Sequence, residues 1–191
     1  IKLQSATIEK NENIAIAVVR FAAVKQLDKM IAIWQSFIVT NPTWKLHIFG
    51  TIGNDYFKKI EKLVLEANLQ DNILFKGQSD AIQNEIAKAK VVLMTSEQEC
   101  FPLVILEANS VGIPVISFDC PTGPRNIIHD KTDGILVEYN NCDSFVKELL
   151  AFDADKTYQQ QLSKKAKENA DKYSIEVIMN KWNELIFNNY D

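Results

Sequence analysis

Two carboxylates, Glu99 and Glu107, stand eight positions apart in Ser96-Glu97-Gln98-Glu99-Cys100-Phe101-Pro102-Leu103-Val104-Ile105-Leu106-Glu107-Ala108, with Gly112-Ile113-Pro114-Val115-Ile116 close behind. Val91 to Met94 is an apolar run that reads as a strand buried on both faces, and Pro114 to Ser117 reads as a second. A short helix fits between them, with Pro102 at its first position, where the missing amide is not needed and the ring pre-sets φ. The amides of Leu103 and Val104 would then lack partners inside the helix, at the positive end of its dipole, which favours an anion such as a diphosphate. Ionised carboxylates only accept hydrogen bonds, so Glu99 in the loop and Glu107 one turn into the helix suit a hydroxyl-rich ligand. The dipole alone also favours glutamate near a helix N-terminus, so the functional reading depends on what converges with the pair.

The elements that must position these groups alternate along the chain. Strands are expected at Ile14 to Val19, Lys45 to Phe49, Ile73 to Phe75, Val91 to Met94, Pro114 to Ser117 and Gly134 to Val137. Apolar residues recur at helical spacing between them: Leu27, Ile31, Trp34 and Ile38; Ile60, Leu63 and Val64; Phe145, Leu149 and Leu150. This alternation predicts an α/β fold, a Rossmann-like doubly wound parallel sheet of about six strands with helices on both faces. Beyond the last strand the pattern is helical, from Lys156 to Lys172 and then along a stripe of Ile175, Ile178, Met179, Trp182 and Ile186. That stripe is expected to pack mostly in the core and, toward Trp182 and Ile186, partly against further polypeptide.

In an open parallel sheet, ligands bind beyond the carboxyl ends of the strands. Arg20, Gly50-Thr51, Lys76-Gly77, Ser96 to Glu99 and Asp119 to Gly123 each follow an expected strand, so they converge on one edge. Arg20 and Lys25 add a guanidinium and an ammonium to the edge that carries the helix terminus, a combination suited to a diphosphate.

Composition narrows the classes. With 191 residues, 47% hydrophobic and 24% charged, the chain can bury a core of one domain. Its formal net charge of -4 supplies no general attraction for nucleic acid. No apolar run reaches membrane-spanning length and no signal pattern opens the chain, so a cytoplasmic location is expected. Ile1 in place of methionine fits excision from a longer polypeptide. Cys100, Cys120 and Cys142 lack metal-type spacing and are expected to be reduced thiols.

With these residues in view, the chain resembles the C-terminal, donor-binding domain of a retaining glycosyltransferase of the GT-B fold, family 4, from about Ile14 to the last helix. The Glu-x7-Glu element from Glu99 to Glu107 carries most of the likeness. Arg20-Phe21 with Lys25-Gln26-Leu27-Asp28, the turn Phe49-Gly50-Thr51, and Phe118-Asp119-Cys120-Pro121-Thr122-Gly123-Pro124-Arg125-Asn126-Ile127-Ile128 support it. The last of these is similar to bacterial members that build surface polysaccharides. The resemblance implies that residues 1–191, including helices over 156–188, bind a nucleotide-sugar, and that an N-terminal acceptor domain lies outside the chain. Arg20 and Lys25 would hold the donor diphosphate, Glu107 the ribose hydroxyls and Glu99 the sugar hydroxyls, so Glu99, Arg20 and Lys25 form the implied catalytic set. Backbone from Phe101 through Pro102 and Leu103 to Val104 would reach the sugar and phosphate, Gly50 would shape the phosphate turn, and Phe75, Lys76 and Gly77 would lie near the base.

The implied chemistry is metal-independent transfer of a hexosyl unit from a UDP-sugar, with a GDP-sugar second, to a glycan or lipid-linked acceptor. No cofactor is implied, the isolated domain is expected to be inactive in transfer, and peripheral membrane association is compatible with such an acceptor. Two positions depart from the family pattern: Val19 stands where glycine is common before the arginine, and Ala22-Ala23-Val24 is more apolar than usual.

Other classes find less support. Asp153-Ala154-Asp155 has the letters of a metal-binding DxD triad but lies between two expected helices, away from the strand-end edge. A nicotinamide fingerprint is missing after the first strand, where Arg20-Phe21-Ala22 has no glycine. His47 and His129 show no sequence-adjacent partner and read as structural or exposed. A non-catalytic sugar-nucleotide sensor and a GT-B-type sugar-nucleotide epimerase are the remaining alternatives.

Overall fold

Apolar runs at the expected positions form one parallel sheet in the computed structural model, which describes residues 13–187. Its strands are β1 (Ile14–Val18), β2 (Lys45–Phe49), β3 (Ile73–Gly77), β4 (Val91–Met94), β5 (Val115–Asp119) and β6 (Ile135–Glu138), in the order β3-β2-β1-β4-β5-β6. The helices are α1 (Leu27–Ile38), α2 (Asp55–Glu66), α3 (Ile82–Ile86), α4 (Leu103–Ser110), α5 (Cys142–Ala154), α6 (Lys156–Asp171) and α7 (Ile175–Phe187). Strand ends differ slightly from expectation. β5 starts at Val115 because Pro114 has no amide to donate and contributes only its carbonyl, to Val92 at 3.0 Å. β3 runs on to Gly77, across a register shift opposite Ile48 and Phe49.

Strand side chains alternate between two packed layers. Ala15, Ala17, Leu46, Ile48, Val91 and Leu93 face the layer that holds Trp34 and Phe37 of α1, Ile60 of α2 and Phe145 of α5. Ile14, Ile16, Val92 and Met94 face the opposite layer, with Ile86 of α3 and Ile105 and Ala108 of α4. Burial on both faces is why these strands are nearly continuous apolar runs.

The chain builds the sheet outward from β1 through β2 to β3, then returns to β4 on the other side of β1, so the winding reverses between β1 and β4. The α7 stripe departs from the core role expected of it: Ile175 is 84% exposed and Trp182 55%, with Met179 and Ile186 also exposed. Helical spacing identifies the face that favours burial but not the surface that buries it.

Asn54 joins the helix layer to the loop after β1. Its Oδ1 accepts the amide of Phe57 at 2.7 Å, capping α2, while its Nδ2 donates to the Phe21 carbonyl at 2.8 Å. Asn54→Ala is expected to lower stability by about 1–2 kcal/mol, since an N-cap and a loop tether are lost together. A shift of the urea midpoint with an unchanged slope would verify it; no shift would mean that solvent replaces both bonds.

Candidate functional site

The site is built where the winding reverses, at the carboxyl ends of β1 and β4, the general location of ligand crevices in open α/β sheets. After β1 the chain makes a 3-10 turn, Ala23–Lys25, and Gln26 then adopts φ 47° to enter α1. The buried Thr95 hydroxyl, just past β4, bonds the Lys25 carbonyl at 3.0 Å and lies 3.2 Å from that of Gln26. The amide of Glu97 donates to the Val24 carbonyl at 2.8 Å. These bonds join the two loops, which are far apart in sequence.

The joining brings Lys25, placed at this edge by its position after the first strand, against Glu99. Lys25 Nζ lies 2.5 Å from Glu99 Oε1, and the Ser96 hydroxyl donates to the same oxygen at 2.7 Å. The side chains are only 20% and 13% exposed, so the pair sits in a recess rather than in open solvent. A cleft of about 300 Å³, lined by Val18, Val19, Lys25, Thr95, Ser96, Glu99 and the 101–104 segment, surrounds it. Sharing Val18 and Val19, a second cleft of about 440 Å³ continues past Arg20, Gly50, Thr51 and Glu107 to Gln78, Ser79 and Ile82. Arg20 is exposed there and has no polar partner among the described residues, which leaves its guanidinium available to an anion.

At the junction with α4, Pro102 is the cap rather than the first helical residue. Its carbonyl accepts the first returning bond, from Ile105 at 3.0 Å. Leu103 and Val104 are therefore the first residues of the helix, with amides directed out of its N-terminus. Proline has no N–H, so the amide donors from Phe101 to Val104 are those of Phe101, Leu103 and Val104. Gly50 is required by close approach: a Cβ at that position would lie 2.1 Å from the Val19 carbonyl oxygen. Its amide donates to the Gly77 carbonyl at 2.8 Å, which ties the β2 and β3 ends together, while the Val19 amide ties β1 to the Phe49 carbonyl at 2.9 Å.

Not every expected contact is in the clefts. Phe75 packs its ring at a tilt against Phe21 and edge-to-face against Phe57, at 5.9 and 5.1 Å, and with Lys76 it lines a groove beside α2 instead. Gln78, Ser79 and Ile82 line the second cleft, which Phe75 and Lys76 do not. Strand alternation, which places Ile73 and Phe75 on one core face, carries the signal that would have shown this. Ser96, placed on this edge by its position after a strand, bonds Glu99, whereas Thr95 was missed; a polar residue immediately after a buried strand is the clue.

The remaining candidates have structural partners. Asp153 bonds Asn41, and Asp155 caps α6 by accepting the Tyr158 amide at 2.9 Å. His129, read as lacking a nearby partner, has one: its Nδ1 lies 2.6 Å from Oδ2 of the buried Asp133, four residues on. All three cysteines are free, as expected. Burial pushes the Cys120 thiol up, and the charge of Glu99 acts in the same direction, which keeps Cys120 protonated. Among the described residues no helix is long and apolar enough to cross a membrane.

Comparison with known proteins agrees with this architecture. Residues 2–169 match the family described as Glycosyl transferases group 1. The amylovoran biosynthesis glycosyltransferase AmsD of Erwinia amylovora is 30% identical over 177 residues, 93% of this chain and 49% of that protein. The poly(glycerol-phosphate) alpha-glucosyltransferase of Bacillus subtilis (strain 168) is 32% identical over 168 residues, 88% of this chain and 25% of that protein. A crystal structure of a mutant of S. aureus TarM, in complex with fondaparinux, alpha-GlcNAc-glycerol and UDP, matches with a TM-score of 0.85 at 28% identity, covering 97% of this chain and 38% of that one. The chain thus spans half or less of the length of these relatives. The family match, carried on a six-stranded parallel sheet of the GT-B type, makes the chain a member of the group 1 glycosyl transferases.

Proposed function

We propose that this chain is the donor-binding half of a retaining glycosyltransferase that moves a sugar from a UDP-sugar to a glycan or lipid-linked acceptor without a metal ion. The observation that carries the reading is the recessed Lys25–Glu99 pair beside the N-terminus of α4, with the free guanidinium of Arg20 in the adjoining cleft. Cations, helix amides and carboxylates are all at hand for the parts of a nucleotide-sugar. Lys25, Arg20 and the amides of Leu103 and Val104 oppose the diphosphate, where fixed positive charge also stabilises the departing nucleoside diphosphate. Glu107 faces the cleft that would hold the ribose, and Gln78, Ser79 and Ile82 line its far end, where the base would lie. Glu99 accepts hydrogen bonds from sugar hydroxyls. The UDP held by TarM in its structure, at 28% identity over nearly the whole of this chain, supports uridine as the base. The relatives' greater length supports an acceptor domain supplied by further polypeptide.

Calorimetric titration of the chain with UDP and GDP, with and without excess EDTA, tests the reading. UDP is expected to bind more tightly than GDP, with an affinity that EDTA leaves unchanged, because the protein itself supplies the positive potential. Absence of nucleotide binding would overturn the donor role, and binding abolished by EDTA would overturn metal independence.

A further inference from the structure

The loop that carries Glu99 has little regular structure of its own, yet Glu99 is held from two sides. Lys25 and Ser96 fix its carboxylate from the β1 and β4 side. From the β5 side, the Thr122 hydroxyl donates to the Glu99 carbonyl. Gly123 seats directly against it: an added Cβ would lie 2.8 Å from Glu99 Cβ, 3.0 Å from Pro102 Cδ and 3.1 Å from the Glu99 carbonyl oxygen. Gly123 also has φ +92°, a conformation that side chains resist. The turn is itself braced. Arg125 Nε and Nη2 donate to the two Asp119 oxygens at 2.8 and 2.7 Å, a bidentate pair that closes the base of the turn at the end of β5. The Asn126 amide returns to the Gly123 carbonyl at 3.0 Å.

We propose that the turn from Asp119 to Asn126 is the positioning element that aims the Glu99 carboxylate at the donor sugar, with Gly123 as its contact point and the Asp119–Arg125 pair as its clamp. The inference rests on the proposed donor-binding function. None of these residues need touch the ligand; each acts through Glu99. A shift of this loop would move the sugar contact while leaving the diphosphate cations, Arg20 and Lys25, on their own turn after β1.

Two measurements on Gly123→Ala and Arg125→Ala test it. Amide hydrogen exchange over residues 97–104, without nucleotide, is expected to accelerate in both variants; unchanged exchange would overturn the hold of the turn on Glu99. Calorimetry is then run with UDP and with UDP-glucose, UDP-galactose and UDP-N-acetylglucosamine. The expected result is a smaller effect on UDP, since Gly123 also seats against Pro102 at the N-terminus of α4, and loss of the extra affinity that the preferred sugar gives the wild type. Arg125→Lys is expected to recover part of it, because lysine keeps the charge but not the bidentate geometry. Arg125 is largely exposed, so its variants remain readable if Gly123→Ala does not fold. Equal loss of UDP and sugar-nucleotide affinity would overturn the positioning role, as would a wild type to which no sugar adds affinity. A wild type that binds no nucleotide would instead overturn the proposed function, while the exchange data still decide whether the turn holds Glu99.

Discussion

Glu99→Gln in the complete transferase is expected to lower kcat by about 10²–10³-fold while leaving UDP affinity intact or raised, the range seen when a fixed group that stabilises a transition state is removed. The substitution is nearly isosteric. The Gln carbonyl can still accept from Lys25 and Ser96, as Glu99 Oε1 does at 2.5 and 2.7 Å. What disappears is the negative charge and one acceptor, replaced by an amide donor that sugar hydroxyls satisfy less well. Glycosyl transfer develops positive charge on the sugar as the nucleoside diphosphate departs, so a carboxylate beside the sugar gains strength in the transition state, and its loss falls on kcat. UDP alone lacks the sugar, and Lys25 without an anionic partner offers the diphosphate a stronger field. Measuring UDP affinity by calorimetry and product formation by turnover separates the two effects. An unchanged kcat would remove Glu99 from the reaction. Loss of UDP affinity without loss of kcat would move it to the nucleotide, and interconversion of donor sugars without an acceptor would favour an epimerase.

How much of the fold and the site was legible in the residues depends on the range of the interaction. Buried parallel strands declare themselves as apolar runs, so Val91–Met94 and Lys45–Phe49 match expectation to the residue. Other strand ends are less readable because termini respond to partners: β3 runs on to Gly77, whose carbonyl meets the amide of Gly50 only because β2 and β3 pair with a register shift. Convergence of polar residues on the carboxyl edge followed from strand direction alone. Which of them touch did not. Lys25 and Glu99 are 74 residues apart, and only the reversal of winding between β1 and β4 makes them neighbours. Gly123 likewise carries no visible link to Glu99 until β5 is placed beside β4. The α7 stripe shows the opposite case, a strong local pattern that the elements before it leave exposed.

Lys25→Ala and Arg20→Ala are each expected to weaken UDP binding by about 1.5–3 kcal/mol, roughly 10- to 150-fold, the worth of a charge-assisted hydrogen bond to phosphate. Their effects on stability should differ, because their surroundings differ. Arg20 is exposed and uncommitted among the described residues, so its removal should leave the melting temperature in place. Lys25 is recessed and neutralises Glu99, whose carboxylate keeps, among the described residues, only the Ser96 hydroxyl once the ammonium is gone. An unpaired carboxylate in a partly buried site is costly, so Lys25→Ala should lower the melting temperature. Adding Glu99→Gln to Lys25→Ala removes that lone charge and should recover part of the stability without recovering UDP affinity, since no cation has been restored. Thermal melts and titrations of the four proteins, the two single variants, the double variant and the wild type, resolve the matter. Recovery of UDP affinity in the double variant would mean that Lys25 acts by shielding Glu99 rather than by binding phosphate, and a melting temperature that Glu99→Gln fails to raise would show that the pair contributes little to the fold.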